Sequence, residues 1–378
     1  MEGLKRMVTQ IAFTPDSRLS QLPLLHRSLL PLLSLASSIY RFSLSLRRLL
    51  YFSGLLHQRR LPVPVISVGN LTWGGNGKTP MVEFIARLLD EAGIGPLILT
   101  RGYSGGDEAK MLHRHLLQTS ARIGVGANRI ATAASMFERH GYVDSSNTLS
   151  EKLLSPYKFE SGAKDEKVGV VILDDGMQHW SVLHDVEIVM LNGVMPWGNN
   201  RLLPRGPLRE PPSALVRADI VVIHHADLVP DKQLKMIEST VHNIDATLPV
   251  FHSRMAPSHF FEVKNPHSRL PLSTVQNMVV LCISAIGFPD AFAQAISKDI
   301  DMITERLRKL KYEFNDEAIM VVTEKDYDRD PVILKRLYCL KVLVLCSSLQ
   351  IMPLSARTEE NFKMNLKKHL INSLQEKK

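Results

Sequence analysis

Past Pro62 the chain alternates short, unbroken apolar runs with segments of helical periodicity. Val63-Pro64-Val65-Ile66-Ser67-Val68 is the first run, β-branched and continuous, as a strand buried on both faces of a parallel sheet should be. A glycine-rich turn follows it, and Met81 to Ala92 reads as a helix. Pro96 to Thr100, Val168 to Leu173, Val186 to Leu191 and Asp219 to Ile223 are further strands; residues 108–119 and 129–140 read as helices. Strands alternating with helices predict an α/β fold with a parallel sheet covered on both faces. Near residue 250 the alternation resets. Val250 to Val263 reads as a linking strand, and Met278 to Ile283, Ala318 to Thr323 and Lys341 to Leu345 supply a smaller second set. The expected organisation is a segment 1–57, a main domain 58–250 and a smaller α/β domain 251–378, with the boundary between 245 and 275. Residues 142–167, rich in Ser, Asn, Lys and Glu, are expected to be a solvated insertion with little structure, and the lysines after 366 a solvated helix end.

The first fifty residues hold seven Lys/Arg against only Glu2 and Asp16, with abundant Leu and Ser, which is the composition of an organelle transit peptide. From Leu22 to Leu56 leucine dominates, but Pro23, Pro31, His26, Arg27, Arg41, Arg47 and Arg48 interrupt it. The pattern predicts an amphipathic helix lying in a membrane interface rather than a spanning one. Over 378 residues, 46 Lys+Arg against 38 Asp+Glu leave a net charge of +8, which suits an anionic partner. Cys282, Cys339 and Cys346 lack metal-ligand spacing, so free thiols in a reducing compartment are expected.

The strongest chemical signal is the turn from Gly69 to Thr79, between a strand and a helix. A phosphate-binding loop needs backbone N–H groups turned inward, hence glycines that tolerate unusual dihedrals and close approach. Here Gly74, Gly75, Asn76 and Gly77 would cradle phosphate, Lys78 would neutralise it, and the Thr79 hydroxyl, ahead of Pro80, would ligate Mg²⁺ at the helix N-terminus. Thr72 stands where the strict pattern has its first glycine. A strand ending in Asp174-Asp175-Gly176 supplies carboxylates for the metal, Asp175 being the expected ligand, at the sheet edge where ligands bind.

These residues resemble the tetraacyldisaccharide 4′-kinases of lipid A biosynthesis. The likeness runs from about Pro31 to Arg329 and rests on five ordered motifs: the loop Val68 to Pro80, Thr100-Arg101-Gly102-Tyr103 with Gly106-Asp107-Glu108, Asp174 to His179, Leu202 to Pro211, and Thr323 to Asp326. The resemblance implies a P-loop kinase using ATP and Mg²⁺ at a membrane surface. Its acceptor would be the 4′-hydroxyl of a tetraacyl glucosamine disaccharide 1-phosphate, with no role for nucleic acid. It also implies that Asp107 is the base for the sugar hydroxyl, that Asp174 and Asp175 hold the metal, and that Arg129 and Arg209 bind phosphate. The acid-poor N-terminus adds a mitochondrial destination, with peripheral membrane attachment.

One departure bears on catalysis. The family carries a Phe-x-Asp-His-His segment whose histidine partners the catalytic aspartate, but here Ile286 to Phe292 leads directly through Ile296-Ser297-Lys298 into the next helix. No histidine occurs between His267 and His369, and a stretch of roughly twenty residues, the size of one αβ unit, is lacking. His179 is the nearest substitute acceptor by motif. The competing expectations are therefore an active kinase, a catalytically impaired form that only binds MgATP or lipid phosphate, and a P-loop NTPase driving partner assembly. The Leu202 to Pro211 run argues against the last, since a generic NTPase has no use for it.

Overall fold

The computed structural model describes residues 2–102, 107–144, 146–155, 167–283, 309–310, 312–313, 318–335, 341–354 and 357–375. The expected Ile286 to Lys298 junction lies outside them, as does the helix after it up to residue 308. The described strands are β1 (Val65–Asn70), β2 (Gly95–Thr100), β3 (Arg122–Val125), β4 (Val168–Asp174), β5 (Val186–Asn192), β6 (Ile220–His224), β7 (Val250–Glu262), β8 (Asn265–Leu270), β9 (Val279–Ile283), β10 (Ala318–Thr323) and β11 (Val342–Ile351). The helices are α1 (Glu2–Phe13), α2 (Leu24–Phe52), α3 (Lys78–Glu91), α4 (Asp107–His115), α5 (Arg129–His140), α6 (Ser146–Leu154), α7 (Asp231–His242), α8 (Glu324–Arg329), α9 (Pro331–Lys335) and α10 (Glu359–Gln375).

All the described strands join one sheet in the order β3-β2-β4-β1-β5-β6-β7-β11-β10-β9, with β8 paired to β7. From β3 to β7 every pairing is parallel. β1, β2 and β4 are buried along their whole lengths, as their unbroken apolar runs require. The 13-residue β7 pairs parallel with β6 through Val250 to Ser253 and antiparallel with β11 from Ser253 to Glu262. The boundary expected near residue 250 thus lies within one strand shared by both sets.

Two expectations about packing are corrected. The insertion at 142–167 contains α6, whose Leu149 and Leu153, one turn apart, are buried in the main core. The C-terminal segment is likewise no solvated end: Phe362, Leu366, Leu370 and Leu374 form a single i, i+4 stripe on α10, buried against the same core. The lysines of that helix misdirect the eye, because they lie between the stripe positions. Phe362 closes the core, its ring meeting Phe84 and Phe251 edge-on at 5.8 and 5.3 Å.

The N-terminal segment packs onto the body. Ile11 and Ala12 are fully buried, and Ile11, Leu22 and Leu33 form a small cluster joining α1 to α2. Asp16 pairs with Arg201 and Arg205, and Phe13 lies 6.3 Å from the Trp73 ring. The inner face of α2 is fixed by Ser37 donating to the Leu202 carbonyl, Tyr40 to the Arg209 carbonyl and Arg47 to the Gln178 carbonyl. Its outer face leaves Leu32, Leu35, Ile39, Phe42, Leu46 and Leu49 exposed in a continuous stripe. α2 runs unbroken from Leu24 to Phe52 and is, by length and composition alone, long and apolar enough to cross a membrane. Pro31 sits inside it and the basic side chains fall mainly outside its central turns.

Phe362→Ala should destabilise the protein by about 3–5 kcal/mol through the cavity left among three aromatic rings. A urea titration followed by tryptophan fluorescence measures it.

Candidate active site

The register of β1 against β4 places Val68 opposite Asp174, so the loop after β1 and the carboxylates after β4 emerge side by side at one sheet edge. Close approach is possible only without side chains: a Cβ on Gly69 would collide with Met177, and one on Gly176 with Ser67. Gly77 is the N-cap of α3 in the left-handed region at φ 76°, and a Cβ there would come within 2.5 Å of the His224 ring. Thr72, which replaces the usual glycine, is buried and is used as an anchor. Its hydroxyl donates to Asn76 Oδ1 at 3.3 Å, and its carbonyl accepts from Asn76 Nδ2 at 3.1 Å. The Leu202 to Pro211 run backs the loop, with Trp73 N–H donating to the Pro207 carbonyl and Arg209 N–H to the Leu71 carbonyl.

Lys78 and Thr79 open α3, and Lys78 Nζ lies 3.5 Å from Asp175 Oδ1. Asp175 also accepts from Arg209 at 2.6 and 2.8 Å. Burial would raise its carboxyl, but the Lys78 and Arg209 charges outweigh that and hold it below the ordinary range. Asp174 differs. It is 3% exposed, and its Oδ1 has no hydrogen-bond partner. Burial first, then the charge of Glu108, pushes it up to about 7. A buried carboxylate oxygen without a hydrogen-bond donor, close enough to Lys78 to feel its charge, fits a hard cation such as Mg²⁺. Asp175, the expected ligand, makes the two ion pairs with Lys78 and Arg209.

Arg129 opens α5 after Asn128, whose side chain caps the helix by accepting from Ala131 N–H. Its guanidinium is buried and donates to the Gly126 carbonyl and, at 3.4 Å, to the Asp174 carbonyl. His179 bonds Ser181 at 3.1 Å. Burial and the charges of Arg129, His184, Arg47 and Arg101 depress it to about 4, so it is no stronger a base than a carboxylate. Asp107 begins α4, but its side chain lies outside the described residues.

Sequence reasoning missed His224 and Glu187. His224 is buried under Gly77 with Nδ1 3.0 Å from Ser253 Oγ, and burial lowers it to about 3. Glu187 accepts from Ser67 Oγ at 2.8 Å and lies 2.7 Å from His184 Nδ1. Glu187 interrupts the apolar run of β5, the neighbour of β1, and His224 ends that of β6, the next strand along, which was the available signal.

The family model described as tetraacyldisaccharide-1-P 4′-kinase matches residues 29–370. A relative from Arabidopsis thaliana, named "Probable tetraacyldisaccharide 4′-kinase, mitochondrial", is 49% identical over 390 residues, covering 98% of each chain. A tetraacyldisaccharide 4′-kinase from Halothermothrix orenii is 32% identical over 274 residues, covering 69% of this chain and 68% of its own. The crystal structure of LpxK from Aquifex aeolicus in complex with ATP superposes with a TM-score of 0.59 at 23% identity, covering 92% of this chain and all of that one. That likeness establishes the P-loop kinase fold. On the extent of the family match and the identity to these relatives, the chain belongs to the tetraacyldisaccharide-1-P 4′-kinase family.

Proposed function

We propose that the protein transfers the γ-phosphoryl group of ATP to the 4′-hydroxyl of a tetraacyl glucosamine disaccharide 1-phosphate. The observation that carries the reading is the loop and carboxylate pair at one sheet edge, in a chain of this family. Phosphoryl transfer needs positioning and charge neutralisation more than covalent chemistry. The loop amides and the N-terminus of α3 would hold the phosphates of ATP, with Lys78 as their point charge. Asp174 and Thr79 would hold Mg²⁺, which when bound neutralises charge on the β- and γ-oxygens. Arg209 and Lys78 keep Asp175 ionised and fixed, and Arg129 holds the Asp174 carbonyl. Asp107 would accept the proton of the sugar hydroxyl. With no histidine between His267 and His369, and His179 depressed by burial and its cationic neighbours, the sequence offers no counterpart of the histidine that the family's motif pairs with that aspartate. The alignment with the Arabidopsis relative, longer than the 378 residues here, is consistent with a stretch lacking in this chain.

The exposed stripe of α2 supports peripheral attachment to a membrane, which is where an acylated acceptor resides. Because the inner face is tied to the body at Ser37, Tyr40 and Arg47, the helix would lie along the interface with its leucines in the acyl boundary. The name of the Arabidopsis relative and the acid-poor N-terminus support the mitochondrion.

A radiolabelled ATP assay with the disaccharide 1-phosphate tests the reading, and absence of transfer by the purified chain overturns it. Lys78→Ala should abolish transfer and weaken ATP binding by calorimetry, since the polyphosphate loses its charge partner. MgATP affinity should fall as pH drops through about 7, where Asp174 takes up a proton that must leave before it can ligate a cation. Replacing Leu32, Leu35, Ile39 and Phe42 together by Ser should cut co-sedimentation with anionic vesicles by at least about tenfold while leaving ATP binding intact.

A further inference from the structure

The run Thr323 to Asp326 has no part in the chemistry just described, yet each of its four side chains is held by hydrogen bonds or ion pairs. Glu324 is buried, with both carboxylate oxygens engaged. Oε1 accepts from Arg114 at 2.9 Å and lies 2.8 Å from His115 Nε2; Oε2 accepts from the Ser347 N–H at 3.1 Å. Arg114 also makes a two-pronged contact with Asp328 at 3.0 and 2.8 Å. At the other end of α4, Lys325 Nζ lies 2.9 Å from Glu108 Oε1. Both ends of α4 are thus fastened to α8, whose own start is capped by Thr323 accepting from Asp326 N–H. His115 carries the connection onward, since its Nδ1 lies 2.7 Å from Glu83 Oε2 on α3, and Arg87 of α3 donates to the His115 carbonyl at 2.6 Å.

We propose that Glu324 is a positioning residue for phosphoryl transfer: it fixes α4, whose first residue is Asp107, against α3, whose first residue is Lys78. The proposal rests on the kinase reading above. The geometry required is demanding, because base and phosphate site sit on separate helices and a displacement of about 1 Å between reacting groups can cost a hundredfold. Among the described contacts, Glu324 is the carboxylate that joins α4 both to α8 and, through the Ser347 amide, to β11.

Charge reinforces the joint. Burial opposes the His115 charge, but Glu324 and Glu83 outweigh it and raise the ring to about 9. Burial would raise Glu324, but His115 and Arg114 bring it down to about 2. The other groups facing this pair are Arg87 on α3, Asp328 on α8, His259 on β7 and Cys346 on β11. Since the folded value of His115 is raised, its contribution is complete below its ordinary 6.5 and is lost as pH rises through about 9. That of Glu324, whose folded value is lowered, is present above its ordinary 4.5 and is lost only as pH falls through about 2.

The test compares the full chain with Glu324→Gln in the transfer assay from pH 6 to 10, with melting temperature and circular dichroism recorded for each. The wild type should hold its rate to about pH 8 and lose it through about 9. The variant should show a kcat lower by at least about tenfold with KM for ATP within about twofold. Its alkaline fall should move toward pH 7, because His115 has lost one of two carboxylates. Histidine-labelled NMR provides a second measurement that does not depend on turnover: His115 should titrate near 9 in the wild type and lower in the variant. A folded variant with unchanged kcat and unchanged alkaline fall overturns the proposal, as does a wild-type His115 titrating at its ordinary value. A wild type that transfers no phosphate overturns the kinase reading itself, a distinct outcome from active wild type with unaffected variant.

Discussion

Everything at the site depends on the parallel pairing of β1 with β4. With Val68 opposite Asp174, a phosphate-binding turn and a pair of carboxylates leave the sheet at the same level, separated by one strand spacing. Two glycines make that proximity possible, Gly69 against Met177 and Gly176 against Ser67, because neither contact leaves room for a Cβ. The backing run from Leu202 to Pro211 then holds the turn from outside through backbone hydrogen bonds at Leu71 and Trp73. Thr72 is compatible with this arrangement because the turn gains from its hydroxyl and carbonyl what it gives up in glycine freedom.

Two adjacent aspartates end in opposite electrostatic states. Asp175 faces Lys78 and Arg209, whose charges favour its ionised form; Asp174 is buried and feels Glu108, which raises its carboxyl to about 7 and favours a proton or a cation on it. The difference begins in the backbone: β4 ends at Asp174, and Asp175 turns out of the strand in the left-handed region at φ 58°, toward Lys78 and Arg209. Chemistry that needs one fixed charge and one exchangeable one is thereby obtained from a repeated residue.

The strands of the first half were legible because each is a continuous apolar run, and the turn at Gly69 to Thr79 because its glycines, lysine and threonine have few other uses in that order. What escaped was structure whose signal is diluted. β3 is four residues whose one buried position is a glycine, Gly124, and α6 hides two leucines in a polar stretch. The stripe of α10 is masked by lysines between its buried positions. At the site, the roles of Asp174 and Asp175 could not be divided from the sequence, since that division depends on which cations reach each carboxylate. Glu324 was visible as part of a four-residue motif, but its partners Arg114 and His115 lie about 210 residues away and have no local pattern.

The shared strand β7 carries a consequence for how this chain can vary. Its first residues continue the parallel sheet and the remainder pairs antiparallel with β11, so one unbroken backbone sets the side-chain parity of both halves. Side chains along a strand alternate faces with period two, and a single inserted or deleted residue inverts every position beyond it. An indel between Ser253 and Phe260 would therefore turn Phe260 and Phe261 to the wrong faces, emptying the two separate clusters they fill on either side of the sheet. The strand already contains one such extra residue, Ser258, taken up as a bulge opposite the Cys346 to Ser347 step of β11, so a further single-residue change keeps both phenylalanines in place only where a second bulge absorbs it.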